Sequence, residues 1–297
     1  MKISILLPYK ENFTKLYAGA VSIFVNDVTK ISKFKKNIKI YGNTLYKDYL
    51  SKNYVNIPLE KNLLQSSSKS YVRNFISSIK NQKPDIIEIH NRPSYIETLY
   101  PSIKNTKFVL YFHNNPLEMN GSKTINERYN LIKKFDKIIF NSEWSKEKFL
   151  KKLNLVNPNT KKLQVIKQCV DPIKVNFKKK ENKIIFVGKL NRAKGYDIFG
   201  KTVCKILDKH KDWSAIVAGD EPREKIYFSH RRFKTLGFQQ HSKILNLFKK
   251  SAISVVCSRW EEPFGRTSLE ASSRGCAIII SDRGGLKETT SNAIVLK

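Results

Sequence analysis

The chain has 297 residues, 40% of them apolar, and carries a formal net charge of +31 at pH 7. This length and apolar content can fill the cores of about two domains, which excludes an intrinsically disordered protein. No apolar run reaches the roughly 18 residues of a membrane-spanning helix, and the amino terminus lacks the apolar segment of a signal peptide. The four cysteines have no metal-type spacing, which predicts buried free thiols in a reducing cytoplasm and no zinc site.

Short apolar runs alternate with longer amphipathic stretches along the chain, which is typical of parallel β-strands joined by crossover helices. In the first half, strands are predicted at residues 3–7, 38–41, 86–90, 108–113, 137–141 and 163–167. In the second half, they are predicted at residues 183–188, 213–219, 254–257, 277–281 and 293–296. The basic, polar stretch 174–182 is predicted to be a linker between two sheets. A ligand is expected in the cleft between the two domains.

The second half contains a basic loop between a predicted strand and a predicted helix. The apolar run 184–187 is followed by Gly188, and then by a loop with Lys189, Lys194 and Gly195. Open α/β sheets bind ligands at the carboxyl ends of their strands, and two ammonium groups there could offset the charge of a diphosphate. The alternative is that these are solvated surface lysines in a lysine-rich chain.

A pair of glutamates near the carboxyl end is the most informative feature of the sequence. Residues 262–270 read Glu-Pro-Phe-Gly-Arg-Thr-Ser-Leu-Glu. Thr267 is predicted as a helix N-cap with Glu270 in the capping-box position, and Gly275 as the stop of that helix. A helix N-terminus suits phosphate, and a carboxylate beside it can accept hydrogen bonds from sugar hydroxyls. Alternatively, Glu270 only caps its helix and Glu262 is a solvated loop acid.

Together these segments resemble the donor half of the retaining glycosyltransferases of family 4, which have the GT-B fold. The resemblance rests on residues 186–189, 194–195, 262–265, Glu270 and 284–288, and extends to 84–91, 109–114, 138–143 and 165–171 in the first half. It implies an α/β protein of two Rossmann-like parallel-sheet domains that face each other across a cleft. Residues 1–176 would form the acceptor-side domain, and residues 177–297 the nucleotide-sugar-binding domain.

The resemblance also implies roles for residues of the second half. Glu262 would contact hydroxyls of the donor sugar and stabilise an oxocarbenium-like transition state, and Glu270 would hold the nucleotide ribose. Lys189 and Lys194 would neutralise the charge of the departing diphosphate. Backbone N–H groups would contact sugar and phosphate at Phe264, Gly265, Arg266 and Thr267.

In the first half, Gly19 resembles the family's glycine turn before the first helix, where the backbone approaches phosphate closely. His113 resembles the family's cleft histidine, which would face the sugar or the acceptor, and His90 is a weaker candidate. The sequence has no Asp-x-Asp pair, so no metal site is expected. The resemblance implies no cofactor, because the nucleotide-diphosphate sugar is a substrate.

The large positive charge leaves alternatives open. Lysine supplies 45 of the 56 basic residues, and neither arginine clusters nor a known nucleic-acid module appears, so specific nucleic-acid binding is not expected. Part of the excess of basic residues is consistent with peripheral contact with the cytoplasmic face of an anionic membrane. There the protein would meet a glycan or lipid-linked acceptor. The competing hypotheses are a non-catalytic basic module that binds membrane or polyanion, and another GT-B sugar-nucleotide enzyme.

Two departures from the family pattern stand out. The family's Gly-x-Gly motif after the second strand of the donor domain is reduced here to Gly219, followed by Asp220 and Glu221, which alters the contacts expected for the base. Relatives also continue through further helices beyond the position of Lys297. The second domain is therefore expected to be incomplete, because the chain is either a shortened version of the family or an incomplete product.

Overall fold

The computed structural model describes residues 1–59, 66–155, 161–171 and 173–297. Contacts between Cα atoms divide the chain into two compact units, Met1–Lys167 and Gln168–Lys297. The domain boundary predicted from the sequence, after residue 176, lies within the second unit. Each unit is a parallel β-sheet with helices on its faces, so the predicted α/β class with two Rossmann-like sheets is confirmed.

The first unit contains a sheet of seven strands among its described residues. Its strands are β1 Ile3–Leu6, β2 Ile38–Gly42, β3 Tyr54–Asn56, β4 Ile86–His90, β5 Lys107–Phe112, β6 Lys137–Phe140 and β7 Leu163–Val165. Its helices are α1 Ala20–Ile31, α2 Ser67–Ile79, α3 Ile96–Ser102, α4 Ile125–Lys134 and α5 Glu143–Leu150.

The strand order of the first sheet is β3-β2-β1-β4-β5-β6-β7, and every pair is parallel. The order reverses between β1 and β4, where such sheets commonly bind ligands. Successive residues of β1 point to opposite faces, so Leu6 joins the core under α2 to α5, whereas Ile5 and Leu7 join the core under α1. Both faces are therefore covered, as a parallel sheet requires.

The second unit repeats this architecture with a sheet of six strands among its described residues. Its strands are β8 Glu181–Val187, β9 Ser214–Ala218, β10 Phe233–Thr235, β11 Ser251–Val256, β12 Ala277–Ser281 and β13 Ile294–Leu296. Its helices are α6 Tyr196–Lys209, α7 His241–Lys250 and α8 Arg266–Ser273. Helix α6 packs on one face of the sheet, and α7 and α8 pack on the other.

The strand order of the second sheet is β10-β9-β8-β11-β12-β13, again parallel throughout. Its reversal lies between β8 and β11, which are neighbours in the sheet although two strands separate them in the sequence. The loops that follow these two strands are therefore side by side at the carboxyl edge. The basic loop follows β8 and the glutamate motif follows β11, so the topology brings the two segments together.

Several sequence predictions need correction. The short edge strands β3 and β10 were not predicted. The stretch predicted as a linker, 174–182, contains a 3₁₀ turn at Phe177–Lys179, and its last two residues already belong to β8. All four cysteines are free. The prediction of burial is wrong for Cys169, which is exposed, whereas Cys204 and Cys257 are half-buried and Cys276 is buried. Across the described residues, no helix combines the length and apolar character needed to cross a membrane.

Candidate functional site

The loop after β8 is held in a defined shape before α6 begins. The Asn191 side-chain oxygen accepts the Lys194 N–H at 2.9 Å, and the Gly195 N–H donates to the Arg192 carbonyl at 3.0 Å. Gly195 has φ +74°, and a Cβ at this position would overlap the backbone carbonyl oxygen of Cys257. Only glycine fits both the left-handed conformation and the close approach. The loop thereby fixes where the Lys194 side chain begins.

The loops after β8 and β11 are hydrogen-bonded to each other. The Ala193 carbonyl accepts the N–H groups of Arg259 and Trp260 at 2.9 and 3.1 Å, and the Ser258 hydroxyl at 3.1 Å. The Arg259 guanidinium also donates to both carboxylate oxygens of Asp197, in the first turn of α6, at 2.8 and 2.9 Å. The two loops therefore form one continuous surface at the carboxyl edge of the sheet.

Lys194 and Glu262 form an ion pair on this surface. The Lys194 ammonium donates to Glu262 Oε1, and it also lies 4.7 Å from the centre of the Trp260 ring. The Glu262 side chain is 10% exposed and that of Lys194 is 28% exposed, so the pair borders solvent rather than lying inside the core. A cation and a carboxylate thus lie side by side, next to an aromatic face.

The backbone of Glu262 is held by the glycine pair near the carboxyl end. The Gly285 N–H donates to the Glu262 carbonyl at 2.7 Å, and the Gly284 N–H donates to the Glu261 carboxylate at 2.8 Å. Gly284 has φ +58°, and a Cβ there would overlap the Glu262 carbonyl oxygen. The glycine pair that contributed to the family resemblance therefore supports the position of Glu262.

Helix α8 begins two residues earlier than the sequence predicted. Gly265, with φ +103°, is the N-cap, and its carbonyl accepts the Ser268 N–H and hydroxyl at 3.1 and 2.7 Å. The capping box predicted for Thr267 and Glu270 is wrong, because Thr267 already lies within the first turn. The positive end of α8 therefore follows directly after the Glu262 loop, in a position suited to an anion.

Glu270 is buried and paired on α8. Its Oε1 accepts from Arg266 Nε at 2.7 Å and lies 2.8 Å from His241 Nε2. Burial by itself would raise the pKa of Glu270, but the hydrogen bond from His241 and the charge of Arg266 outweigh it, and the pKa is lowered. Glu270 is therefore a fixed carboxylate one turn beyond the helix start.

His241 and Trp260 were not predicted as site residues. Trp260 lies two positions before Glu262, and its aromatic side chain in a polar loop is a signal that the sequence does contain. His241 is the first residue of α7 and reaches Glu270 only through the packing of α7 beside α8. No spacing rule relates two residues 29 positions apart on different helices.

Lys189 is separate from the Lys194–Glu262 pair in its contacts. It is exposed at the end of β8 and contributes electrostatically to Glu221, whose pKa is lowered to about 2, mainly by hydrogen bonds from Arg223. Of the predicted donor residues, the structure brings Lys194 into contact with Glu262, and Arg266 into contact with Glu270. Phe264, which is buried, Gly265, Arg266 and Thr267 lead from Glu262 into α8.

Gly19 lies at the start of α1 beside the carboxylate of Glu11, which was not predicted as a site residue. Gly19 is the N-cap with φ −76°, and a Cβ there would overlap Glu11 Oε1. The same oxygen accepts the Ser22 N–H in the first turn of α1 at 3.2 Å. Burial raises the pKa of Glu11, although the Ser22 hydrogen bonds and the nearby Arg92 and His90 oppose that rise. The absence of a side chain at Gly19 makes room for Glu11.

His113 and His90, the two histidine candidates of the first half, are in contact. His90 Nδ1 lies 2.8 Å from His113 Nε2, and His90 Nε2 lies 2.6 Å from Glu88 Oε1. His90 ends β4 and His113 follows β5, so parallel pairing of these strands puts both rings at the carboxyl edge. Both are buried. The sequence predicted that His113 lies at this edge, but not its pairing with His90.

Comparisons with known proteins agree with this architecture. Residues 40–174 match the model for Glycosyltransferase Family 4, and residues 170–295 match the model for Glycosyl transferases group 1. The chain is 23% identical over 334 aligned positions to YtcC of Bacillus subtilis (strain 168), whose name describes a glycosyltransferase, with 99% of this chain and 78% of that protein covered.

Two further comparisons extend this result. Part of the chain is 29% identical over 111 positions to the lipopolysaccharide core biosynthesis mannosyltransferase LpsB of Rhizobium meliloti (strain 1021), with 34% of this chain and 31% of that protein covered. The fold is similar to that of Anabaena HepE, solved in complex with UDP and glucose, with a TM-score of 0.75, 16% identity, and 100% of this chain and 86% of that chain covered. The chain therefore belongs to the family 4, group 1 glycosyltransferases of the GT-B fold.

Proposed function

We propose that this glycosyltransferase moves a sugar from a nucleotide-diphosphate donor to a glycan or lipid-linked acceptor, with retention of anomeric configuration and without a metal ion. In the reaction, the bond from the sugar C1 to the diphosphate oxygen breaks and a bond from C1 to an acceptor hydroxyl oxygen forms. The proton of that hydroxyl is released to the departing diphosphate or to water. The protein has to bind, orient and stabilise charge, and it forms no bond of its own in this scheme.

The observation that carries the proposal is the Lys194–Glu262 pair at the reversal point of the second sheet. A diphosphate that enters this surface gives the Lys194 ammonium a second anionic partner, while Glu262 remains to accept hydrogen bonds from sugar hydroxyls. As positive charge develops on the sugar and negative charge on the leaving group, the carboxylate and the ammonium each meet charge of the opposite sign. We assign Lys189, at the end of β8, a weaker role in attracting the diphosphate.

The start of α8 indicates where oxygens of the donor would be bound. The backbone N–H groups from Phe264 to Thr267 lead into the positive end of the helix, which favours phosphate or sugar oxygens. We assign Glu270 the nucleotide ribose, because its carboxylate is ionised, fixed by Arg266 and His241, and retains further acceptor sites for two hydroxyls. In the first unit, we assign Gly19 close backbone contact with phosphate and His113 contact with the sugar or the acceptor.

The names of relatives narrow the substrate classes that we propose. HepE was solved with UDP and glucose, so we propose a uridine-diphosphate sugar as the first donor to test. LpsB is named for lipopolysaccharide core biosynthesis, and this supports an acceptor of the cell-envelope polysaccharide class. The excess of lysine supports a location in the cytoplasm with peripheral contact to an anionic membrane. There the enzyme would meet a lipid-linked acceptor.

The proposal is tested by ligand-induced stabilisation. Uridine-, guanosine- and adenosine-diphosphate sugars are added without metal and with a chelator, and the melting temperature is measured, since a ligand of the native state raises it. We expect one nucleotide class to stabilise the wild type and to be hydrolysed slowly, releasing sugar of the donor's anomeric configuration by proton NMR. The absence of stabilisation by every donor, together with salt-sensitive polyanion binding, would favour a non-catalytic basic module. Stabilisation with turnover to an epimerised sugar nucleotide would indicate a different GT-B enzyme.

A further inference from the structure

Three side chains form a hydrogen-bonded chain on one face of the first sheet. Glu88 and His90 are two residues apart on β4, so their side chains point to the same face. Glu88 Oε1 lies 2.6 Å from His90 Nε2, and His90 Nδ1 lies 2.8 Å from His113 Nε2. The chain begins at a carboxylate that is 27% exposed, passes through the fully buried His90 and ends at His113, which is 7% exposed.

The ring of His113 is held by aromatic neighbours. It stacks on Tyr111 with ring centres 4.5 Å apart and planes 12° apart, and it packs edge-to-face with Phe24, with ring centres 5.1 Å apart. The Tyr111 hydroxyl is anchored on the Ile166 carbonyl. These contacts leave the imidazole little freedom to rotate away from His90.

The backbone of His113 is fixed as firmly as its ring. The Asn91 side-chain oxygen accepts the His113 N–H at 2.8 Å and the Asn114 N–H at 3.2 Å. On the other side, the Asn141 side-chain amide donates to the His113 carbonyl at 3.0 Å. Residues that follow β4 and β6 therefore hold the backbone of His113 just after β5, and this fixes the short distance between the two imidazoles.

The donor and acceptor properties of the three groups fix the direction of both hydrogen bonds. An ionised carboxylate can only accept hydrogen bonds, so His90 must carry its proton on Nε2. A neutral His90 then has its lone pair on Nδ1, and the hydrogen bond to His113 can form only if His113 Nε2 carries a proton. When both rings are neutral, Nδ1 is the nitrogen of His113 that carries a lone pair.

We propose that Glu88 and His90 are positioning residues that fix the tautomer of His113, so that His113 meets its ligand as a hydrogen-bond acceptor at Nδ1. The ligand group that fits an acceptor is a hydroxyl, and a sugar presents several. This assignment of the ligand rests on the proposed function, whereas the tautomer itself does not. Without the carboxylate, either ring nitrogen of His113 could carry the proton, so Nδ1 would be a donor in one tautomer and an acceptor in the other.

The tautomer can be read directly by NMR in the absence of any donor. Histidine-selective ¹⁵N labelling with long-range proton–nitrogen correlation distinguishes protonated from lone-pair ring nitrogens, at about pH 8, above the ordinary titration range of histidine. The five histidines are assigned with single His→Gln variants. We expect His90 and His113 both to carry their proton on Nε2. A wild-type His113 with its proton on Nδ1 would overturn the proposal.

Charge reversal at Glu88, the first of the three hydrogen-bonded side chains, provides a second test. Lysine can only donate, so Glu88→Lys should reverse both hydrogen bonds and move the proton of His113 to Nδ1, with lower turnover of the donor. Glu147→Lys, at an exposed position of α5, is the control of equal charge change and should leave the tautomer of His113 unchanged. If Glu88→Lys is folded and His113 keeps its proton on Nε2, Glu88 does not set the tautomer. Detection of the expected tautomers without any sugar transfer would contradict the proposed function alone.

Discussion

At the scale of single residues, the proposed mechanism depends on what Lys194 does besides pairing with Glu262. Its ammonium is partly exposed, next to the Trp260 ring, and it lies at the carboxyl edge of the sheet. The pair borders solvent through Lys194, whereas the Glu262 side chain is only 10% exposed. The ammonium can therefore reach a leaving group that enters this surface, and neutralisation of that group is the role that we propose for it.

Removal of the Lys194 charge should affect catalysis far more than stability. Lys194→Ala is expected to lower the turnover number for donor hydrolysis or transfer by on the order of 10²-fold, because the charge on the departing diphosphate loses its partner. Steady-state kinetics with the donor found by thermal stabilisation measure this. Lys201→Ala, at an exposed position of α6, is the control and should behave as wild type. Equal, small effects of both substitutions would remove Lys194 from the mechanism.

Sequence reasoning succeeded at the residue scale where a residue lies within a motif. Glu262 and Lys194 belong to motifs whose strands are neighbours in the sheet, so their contact follows from topology. His241 and Glu11 could not be predicted, because their contacts with Glu270 and with the start of α1 depend on how helices and loops pack. Glu88 lies two residues from His90 and could have been noticed from strand periodicity.

At the scale of elements, glycine decides where α6 and α8 begin. Both helices have a glycine N-cap with positive φ, Gly195 at +74° and Gly265 at +103°. A side-chain N-cap was predicted for α8 from Thr267, and that prediction failed because propensity favours threonine whereas the tight loop requires glycine. Strands β3 and β10 were missed for a different reason, since each has only three residues and the polar Asn56, Lys234 and Thr235 leave no apolar run to recognise.

The requirement for glycine at the start of α6 gives a stability prediction. Gly195→Ala combines a left-handed backbone with overlap of the Cys257 carbonyl, so we expect a loss of more than about 2 kcal/mol in the free energy of unfolding. Gly237 also has positive φ, +68°, but a Cβ there meets nothing within 4 Å. Gly237→Ala is the matched control and should cost only about 1 kcal/mol. Urea unfolding measures both, and equal losses would show that the overlap is relieved by backbone movement.

The capping box at the start of α4 gives a pH prediction. Thr124 and Glu127 bond each other's backbone N–H groups, and the hydrogen bond from the Thr124 N–H is the main cause of the lowered pKa of Glu127. A carboxyl whose pKa is lower in the folded state stabilises the protein above its unfolded-state pKa, and this contribution is lost as pH falls through the folded-state pKa. Glu127→Gln should therefore destabilise by about 0.5 kcal/mol at neutral pH.

The difference in unfolding free energy between wild type and Glu127→Gln should shrink on acidification and vanish once Glu127 is protonated in the folded state. Urea unfolding at a series of pH values measures it. Glu147→Gln, on the exposed surface of α5, controls for the loss of a negative charge in a basic protein. A difference for Glu127→Gln that is constant with pH would contradict the contribution of its ionised form.

At the scale of the whole molecule, the fold could be predicted because the apolar pattern and the motif order agree. Alternating short apolar runs and amphipathic stretches specify parallel sheets with crossover helices, and the buried strands of both units follow that pattern. The positions of the two reversal points could not be read from periodicity, because strand order is decided by packing between distant segments. They determine which loops become neighbours, and therefore which residues form the candidate site.

The net charge of +31 leads to a prediction for the intact protein. Anionic membranes attract basic surface by about 1 kcal/mol for each nearby lysine or arginine, and salt screens this attraction. The protein should co-sediment with vesicles of phosphatidylglycerol and phosphatidylcholine at low ionic strength, and should be released as salt is raised. Vesicles of phosphatidylcholine alone are the control. Equal sedimentation with both kinds of vesicle would argue against the proposed membrane contact.

The most direct test of the account is the rate of donor turnover in two neighbouring variants, Glu262→Gln and Glu261→Gln. Both remove one negative charge from the same loop without a change of shape, and a glutamine at 261 can still accept the Gly284 N–H. We expect Glu262→Gln to lower the turnover number by on the order of 10²–10³-fold and Glu261→Gln to change it only slightly. Equal turnover in the two variants would contradict a donor site built on Lys194 and Glu262.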